Sequence, residues 1–138
     1  MAETERKAKL FMEALAVLLS AAVSIALVSG AAHYIKHATA NGSLSRNFWI
    51  GLRTGTTMSS DAAWEAAHKA AAPWLTACAY TGYAASAAMI ALAVYAATEE
   101  ISVIGALMIS AVGFAGVTIM TAIAAVIAHR GAKDALRG

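Results

Sequence analysis

Between Arg46 and His68 the chain reads RNFWIGLRTGTTMSSDAAWEAAH, its densest run of residue types that recognise other molecules. Arg46 and Arg53 carry guanidinium forks suited to carboxylate or phosphate. Trp49 and Trp64 join a large apolar ring to one N–H donor. Asn47, Thr54 and Thr57 are short polar side chains that tie down nearby backbone, and Gly51 lets it turn tightly. Asp61 and His68 add an acid and a titratable base. These ten residues, Arg46, Asn47, Trp49, Gly51, Arg53, Thr54, Thr57, Asp61, Trp64 and His68, form the candidate ligand- or partner-binding site.

The chemistry they offer is binding. Arg53, Asp61, Glu65 and His68 are expected to close a network of charge-assisted hydrogen bonds that folds the stretch into a cap. In it Asp61 or Glu65 would set the charge of His68 and make it a pH sensor. A plainer reading stands beside this one: both arginines snorkelling to lipid headgroups and the tryptophans anchoring at the interface, Trp74 above all.

The elements that must position this stretch are apolar. Of 138 residues 60% are hydrophobic and only 13% charged, about half the charged share of a soluble protein. Three stretches reach the roughly 20 apolar residues that a span needs. They cover residues 10–32, with Glu13 the one charge, 74–97 and 101–128, both uncharged. Each must be helical, because lipid offers the backbone no hydrogen-bond partner. A cleaved leader is the competing reading of the first; its apolar run is long for one, and the residues before it mix Glu3 and Glu5 with Arg6, Lys7 and Lys9.

The expected fold is therefore an all-α integral membrane protein, one domain over residues 1–138. Three transmembrane helices are joined, between the first and second, by a motif loop at residues 46–72 holding a short amphipathic helix. Residues 33–45 read as polar loop with a turn at Asn41-Gly42. The short helix starts at Ser59 or Ser60, a good N-cap followed by Asp61, and ends at Ala72, where Pro73 breaks or bends the chain. Asp61, Trp64, Glu65 and His68 share one broad side of it, turned toward the preceding loop. Gly82 with Ser86, and Ser110 with Gly113 and Gly116, supply small residues for close helix contact.

Lys36, Arg46, Arg53 and Lys69 in the first connection and Arg130, Lys133 and Arg137 at the C-terminus outnumber Arg6, Lys7 and Lys9 opposite, where the second connection carries Glu99 and Glu100. Basic residues favour the cytoplasmic face, which would put the motif loop and C-terminus inside. The net charge of +2 is met by lipid headgroups, and no basic stripe calls for nucleic acid. Cys78 is the sole cysteine and excludes an intramolecular disulfide. His33 with His37, and Glu65 with His68, have metal-ligand spacing but no third ligand. Zinc-protease, nucleophile-elbow and phosphate-loop motifs are missing, so neither cofactor nor metal is expected.

The run Asn47, Trp49, Ile50, Gly51, Leu52, Arg53, Thr54, then Thr57, Ser59, Asp61, Trp64, His68 and Lys69 resembles the signature of the SdpI family of bacterial membrane proteins. That signature has the form N-x-W-[IV]-G-[IL]-R-T, then T-[LM]-x-[SN], an acidic residue, W and x-x-x-H-[RK], and joins two spans. Gly55 stands where the family has Pro, and the namesake is longer, with more spans. The resemblance implies a non-enzymatic protein of the bacterial plasma membrane. It would bind a peptide toxin or a partner protein and so give immunity or relay a signal. An accessory subunit of a larger membrane complex is the alternative on the Ala-rich spans, which also raise self-association. A small transporter or lipid-modifying enzyme is a third, weakened because Glu13 is the only charge within the spans.

Overall fold

The computed structural model describes residues 1–96 and 102–137. Among them are three helices, α1 (Ala2–Ala40), α2 (Asp61–Tyr95) and α3 (Val103–Ala135). All three are long and apolar enough to cross a membrane. Each packs against the other two. Their alternating direction brings the end of α1, the start of α2 and the end of α3 together, and residues 41–60 fold over that end as a cap.

Every helix outruns its expected span, which corrects two boundaries. Residues 33–40 continue α1 to Ala40 because Ile35 and Ala38 are buried and hold these turns on the bundle. The separate amphipathic helix before Pro73 does not exist as such: residues 61–72 are the first turns of α2, which passes through Pro73. Proline forfeits one backbone bond, to the Lys69 carbonyl. That carbonyl lies at the charged end of the helix, where water can take the donor's place. Ala71 and Leu75, both buried, pack on either side of the proline and keep the helix continuous. The expected N-cap holds, since the Ser60 hydroxyl accepts from the Ala63 N–H at 3.0 Å. Glu99, Glu100 and the expected span ends at Ala97 and Ile101 lie outside the described residues.

Small residues bring the helices close. Lipid supplies no hydrophobic drive for helix association, so contact area and hydrogen bonds decide it. Ala63, Ala67 and Ala71 of α2 and Ala124, Ala128 and Ala132 of α3 recur every fourth residue, all fully buried. A Cβ on Gly131 would stand 2.7 Å from that of Ala70. Between α1 and α2, the Ser86 hydroxyl donates to the Ala22 carbonyl at 2.9 Å. A Cβ on Gly82 would fall 1.8 Å from Ser29 Oγ, which is itself bonded to Ile25.

Gly82→Val should therefore push α1 and α2 apart, costing about 1–3 kcal/mol as overpacking does. The check is a lowered unfolding midpoint in detergent. Gly55→Ala, where an added Cβ meets nothing within 4 Å, should leave the midpoint in place.

Candidate functional site

The cap is built by short-range side-chain-to-backbone bonds. Asn47 Oδ1 accepts from the N–H groups of Trp49 and Ile50, both at 2.8 Å, and its amide donates to the Ser45 carbonyl. The resulting turn fixes the Phe48-Trp49 tip, where Phe48 is 79% and Trp49 91% exposed. Beyond the tip the chain reverses at Gly51, with φ +123°. The Thr57 hydroxyl, fully buried, donates to the Leu52 carbonyl at 2.9 Å and accepts from the Thr54 N–H at 2.8 Å. Thr54 Oγ1 in turn accepts from the Thr57 N–H.

Four contacts fasten this loop to the bundle. The Trp64 indole N–H donates to the Leu44 carbonyl at 2.9 Å. The His68 ring packs against Trp64 at a tilt of 42°, with centroids 4.2 Å apart, and its Nε2 accepts from the Leu52 N–H at 2.8 Å. Arg46 bridges the ends of the cap: Nε donates to Asp61 Oδ1 and Nη1 to the Met58 carbonyl, each at 2.8 Å. From α3, His129 Nδ1 comes 3.5 Å from Thr54 Oγ1. Sequence reasoning left His129 without a role. Its neighbour Arg130, the first charge after a long apolar run, was the available sign that it sits at cap level.

The tautomer of His68 follows from its partners. Nε2 accepts, so the proton is on Nδ1, which donates to the Trp64 carbonyl at 2.8 Å. His68 lies in the charged first turns of α2, ahead of the apolar stretch that follows Lys69. Burial pushes its pKa below the ordinary histidine value, and the Trp64 carbonyl opposes this in part.

The closed charge network expected from sequence is not formed. Asp61 pairs with Arg46, Glu65 with Lys69, and the Arg53 guanidinium donates to the Phe48 carbonyl. The hydrogen bonds of His68 go to backbone only. Neither carboxylate governs it; burial lowers its pKa, and the Trp64 carbonyl opposes this in part. The reason is geometric, because the shared side of α2 that bears His68 is covered by the loop backbone at Gly51 and Leu52, leaving the acids at the rim.

The ten candidate residues thus separate. Asn47, Gly51, Thr54, Thr57, Trp64 and His68 hold the cap in shape. Arg46, Trp49, Arg53 and Asp61 reach its surface. Between the end of α1 and the start of α2 the cap leaves a cleft of about 480 Å³, lined by Thr39, Ser45, Arg46, Asp61, Glu65 and neighbouring residues, with Trp64 and His68 at its base. On α1, His33 and His37 stack at 4.5 Å. Among the described residues no group of three or more His, Cys, Asp or Glu could hold a metal ion.

The model of the SdpI/YfhL protein family matches residues 43–128, well over half of the chain. The chain belongs to this family. The match opens at the start of the cap, two residues after α1 gives way to the Asn41-Gly42 turn, and takes in all of α2 and most of α3. The SdpI/YfhL region is therefore the cap and the two helices that carry His68 and His129. Membership and three apolar helices make the chain a multi-pass membrane protein. No curated protein and no solved structure matches it.

Proposed function

We propose that this SdpI/YfhL-family protein is a non-enzymatic recognition protein of the bacterial plasma membrane, and that its cap binds a peptide toxin or a partner protein to give immunity or membrane signalling. The observation that carries the reading is the division within the cap. Five polar or aromatic residues and Gly51 are spent on one rigid conformation, and the Arg46–Asp61 pair is left at the rim of an open cleft. Rigid presentation lowers the ordering cost of binding, and a cleft of this size, about 480 Å³, falls within the range that holds small ligands or a few side chains.

Catalysis finds little support in the same geometry. His68, the one buried titratable group of the cap, has both ring nitrogens engaged by backbone, so it has no free site for a substrate proton. The bundle end bearing the cap also carries Lys36, Arg46, Arg53, Lys69, Arg130, Lys133 and Arg137, and the bias of basic residues toward the cytoplasmic face supports reading this end as the cytoplasmic one.

The test is protection of cells. A strain lacking the protein should become sensitive to a membrane-active peptide, and Asp61→Asn or Arg46→Gln should restore little of the lost protection at wild-type membrane levels. An exposed ion pair contributes under about 1 kcal/mol, so neither change should unfold the cap. Full protection by both variants would sink the reading. A partner copurifying at fixed stoichiometry, with no change in peptide sensitivity, would favour an accessory subunit.

A further inference from the structure

The Phe48-Trp49 tip and Arg53 make a surface that the recognition reading does not use. Two adjacent aromatic side chains stand 79% and 91% exposed, on a turn held by two bonds to Asn47. Beside them is Arg53, exposed. Its guanidinium meets the Phe48 carbonyl, and among the described residues it meets no carboxylate, since Asp61 and Glu65 are taken by Arg46 and Lys69. Apolar rings next to an uncompensated cation suit a ligand that is anionic at one end and greasy at the other.

The level of the cap in the bundle says where such a ligand is found. Leu52 hangs on His68, next in sequence to Lys69, and residues 70–95 of α2 after it bear no charge. Thr54 meets His129, next to Arg130, and residues 103–128 of α3 before it are equally uncharged. The cap therefore rests where both helices leave their apolar stretch, at headgroup depth. Tryptophan concentrates at that depth, and arginine prefers phosphate there because its planar fork matches two oxygens.

We infer that the tip is a lipid-binding surface for an anionic phospholipid: Arg53 holds the headgroup phosphate while Phe48 and Trp49 seat in the interface against the first acyl carbons. It fixes the tilt and depth of the cap. The inference does not rest on toxin or partner binding, because lipid alone suffices to test it.

The full chain would be placed in phosphatidylcholine nanodiscs with rising shares of phosphatidylglycerol brominated near the ester. Subtracting the Trp49→Phe emission from that of the wild type removes Trp64 and Trp74. The Trp49 emission should be quenched by the brominated lipid. In Arg53→Gln the share needed for half quenching should rise about fivefold, the equivalent of about 1 kcal/mol for one basic residue at a charged surface. Arg53→Lys should keep most of the preference for anionic lipid. Unfolding midpoints at the wild-type value establish that these exposed substitutions leave the fold intact. Emission quenched by aqueous iodide and untouched by lipid bromine would overturn the inference. Quenching just as efficient when the bromine is carried by phosphatidylcholine instead would overturn the anionic assignment, and shielding from both quenchers would overturn the lipid contact and give the tip to a second copy of the chain.

Discussion

Replacing His68 by Leu should release the cap from the bundle. The Leu52 N–H would lose its acceptor in a place closed to water, and an orphaned buried donor costs about 1–3 kcal/mol. Losing the tilted ring contact with Trp64, centroids 4.2 Å apart, adds to that about 0.5–1.5 kcal/mol. The direct readout is hydrogen exchange at the Leu52 amide, protected in the wild type and exchanging freely in the variant, with little change at amides in the middle of α2. His68→Gln, whose side-chain oxygen can accept the same N–H, should lose less protection. Equal exchange in all three proteins would mean that the bond does not hold the cap.

Acid should do to the wild type what the substitution does. Only neutral His68 can accept from Leu52, and burial lowers its folded pKa below the unfolded value near 6.5. The folded state thus binds fewer protons than the unfolded one. Its stabilisation is present in full above that unfolded value and is lost as pH falls through the folded pKa. After correction for intrinsic exchange, Leu52 protection should be level at neutral and alkaline pH and decline on acidification. In His68→Gln that decline should be absent; a decline of the same size there would assign it to another group.

The second large effect is expected at Gly51. Its φ of +123° is a conformation that residues with a side chain rarely adopt. A Cβ there would stand 2.5 Å from the far edge of the Trp64 ring and 2.8 Å from His68 Nε2. Gly51→Ala combines backbone strain of about 1–3 kcal/mol with overpacking of about 1–3 kcal/mol. It also pushes on the very atom that accepts from Leu52. The cap should open in this variant even at neutral pH, so Leu52 protection is lost without acid. Gly42→Ala, also at positive φ but with nothing within 4 Å of an added Cβ, separates the two contributions: it should show the strain alone, and a loss as large as that of Gly51→Ala would contradict the packing argument.

Much of this protein is legible in its residue order because the membrane simplifies the problem. Long charge-free stretches have one stable backbone solution in lipid, so the three helices could be read from composition and length. The Ser60 N-cap, the shared face of Trp64 and His68, and the closeness allowed by Gly82 and Ser86 are equally local, set by spacing along one helix. Family membership was carried by the same local pattern, Asn47 to His68.

What spacing could not say is which partner each side chain takes. The sequence supported a charge network among Arg53, Asp61, Glu65 and His68. In the fold, the loop backbone lies on His68 and sends the acids to Arg46 and Lys69 at the rim. Pro73 reads as a helix end or a bend, and in the fold the burial of Ala71 and Leu75 outweighs the one bond it forfeits, so α2 runs on through it. His129, 75 residues from Thr54, enters only because α3 returns antiparallel to α2. Residue order sufficed for three apolar helices and their membrane setting, but not for their ends or for the merging of residues 61–72 into α2. Tertiary structure alone decided that His68 is a neutral acceptor holding the cap and that Arg46, Trp49, Arg53 and Asp61 face outward, because burial and pairing depend on which chain segment packs against which.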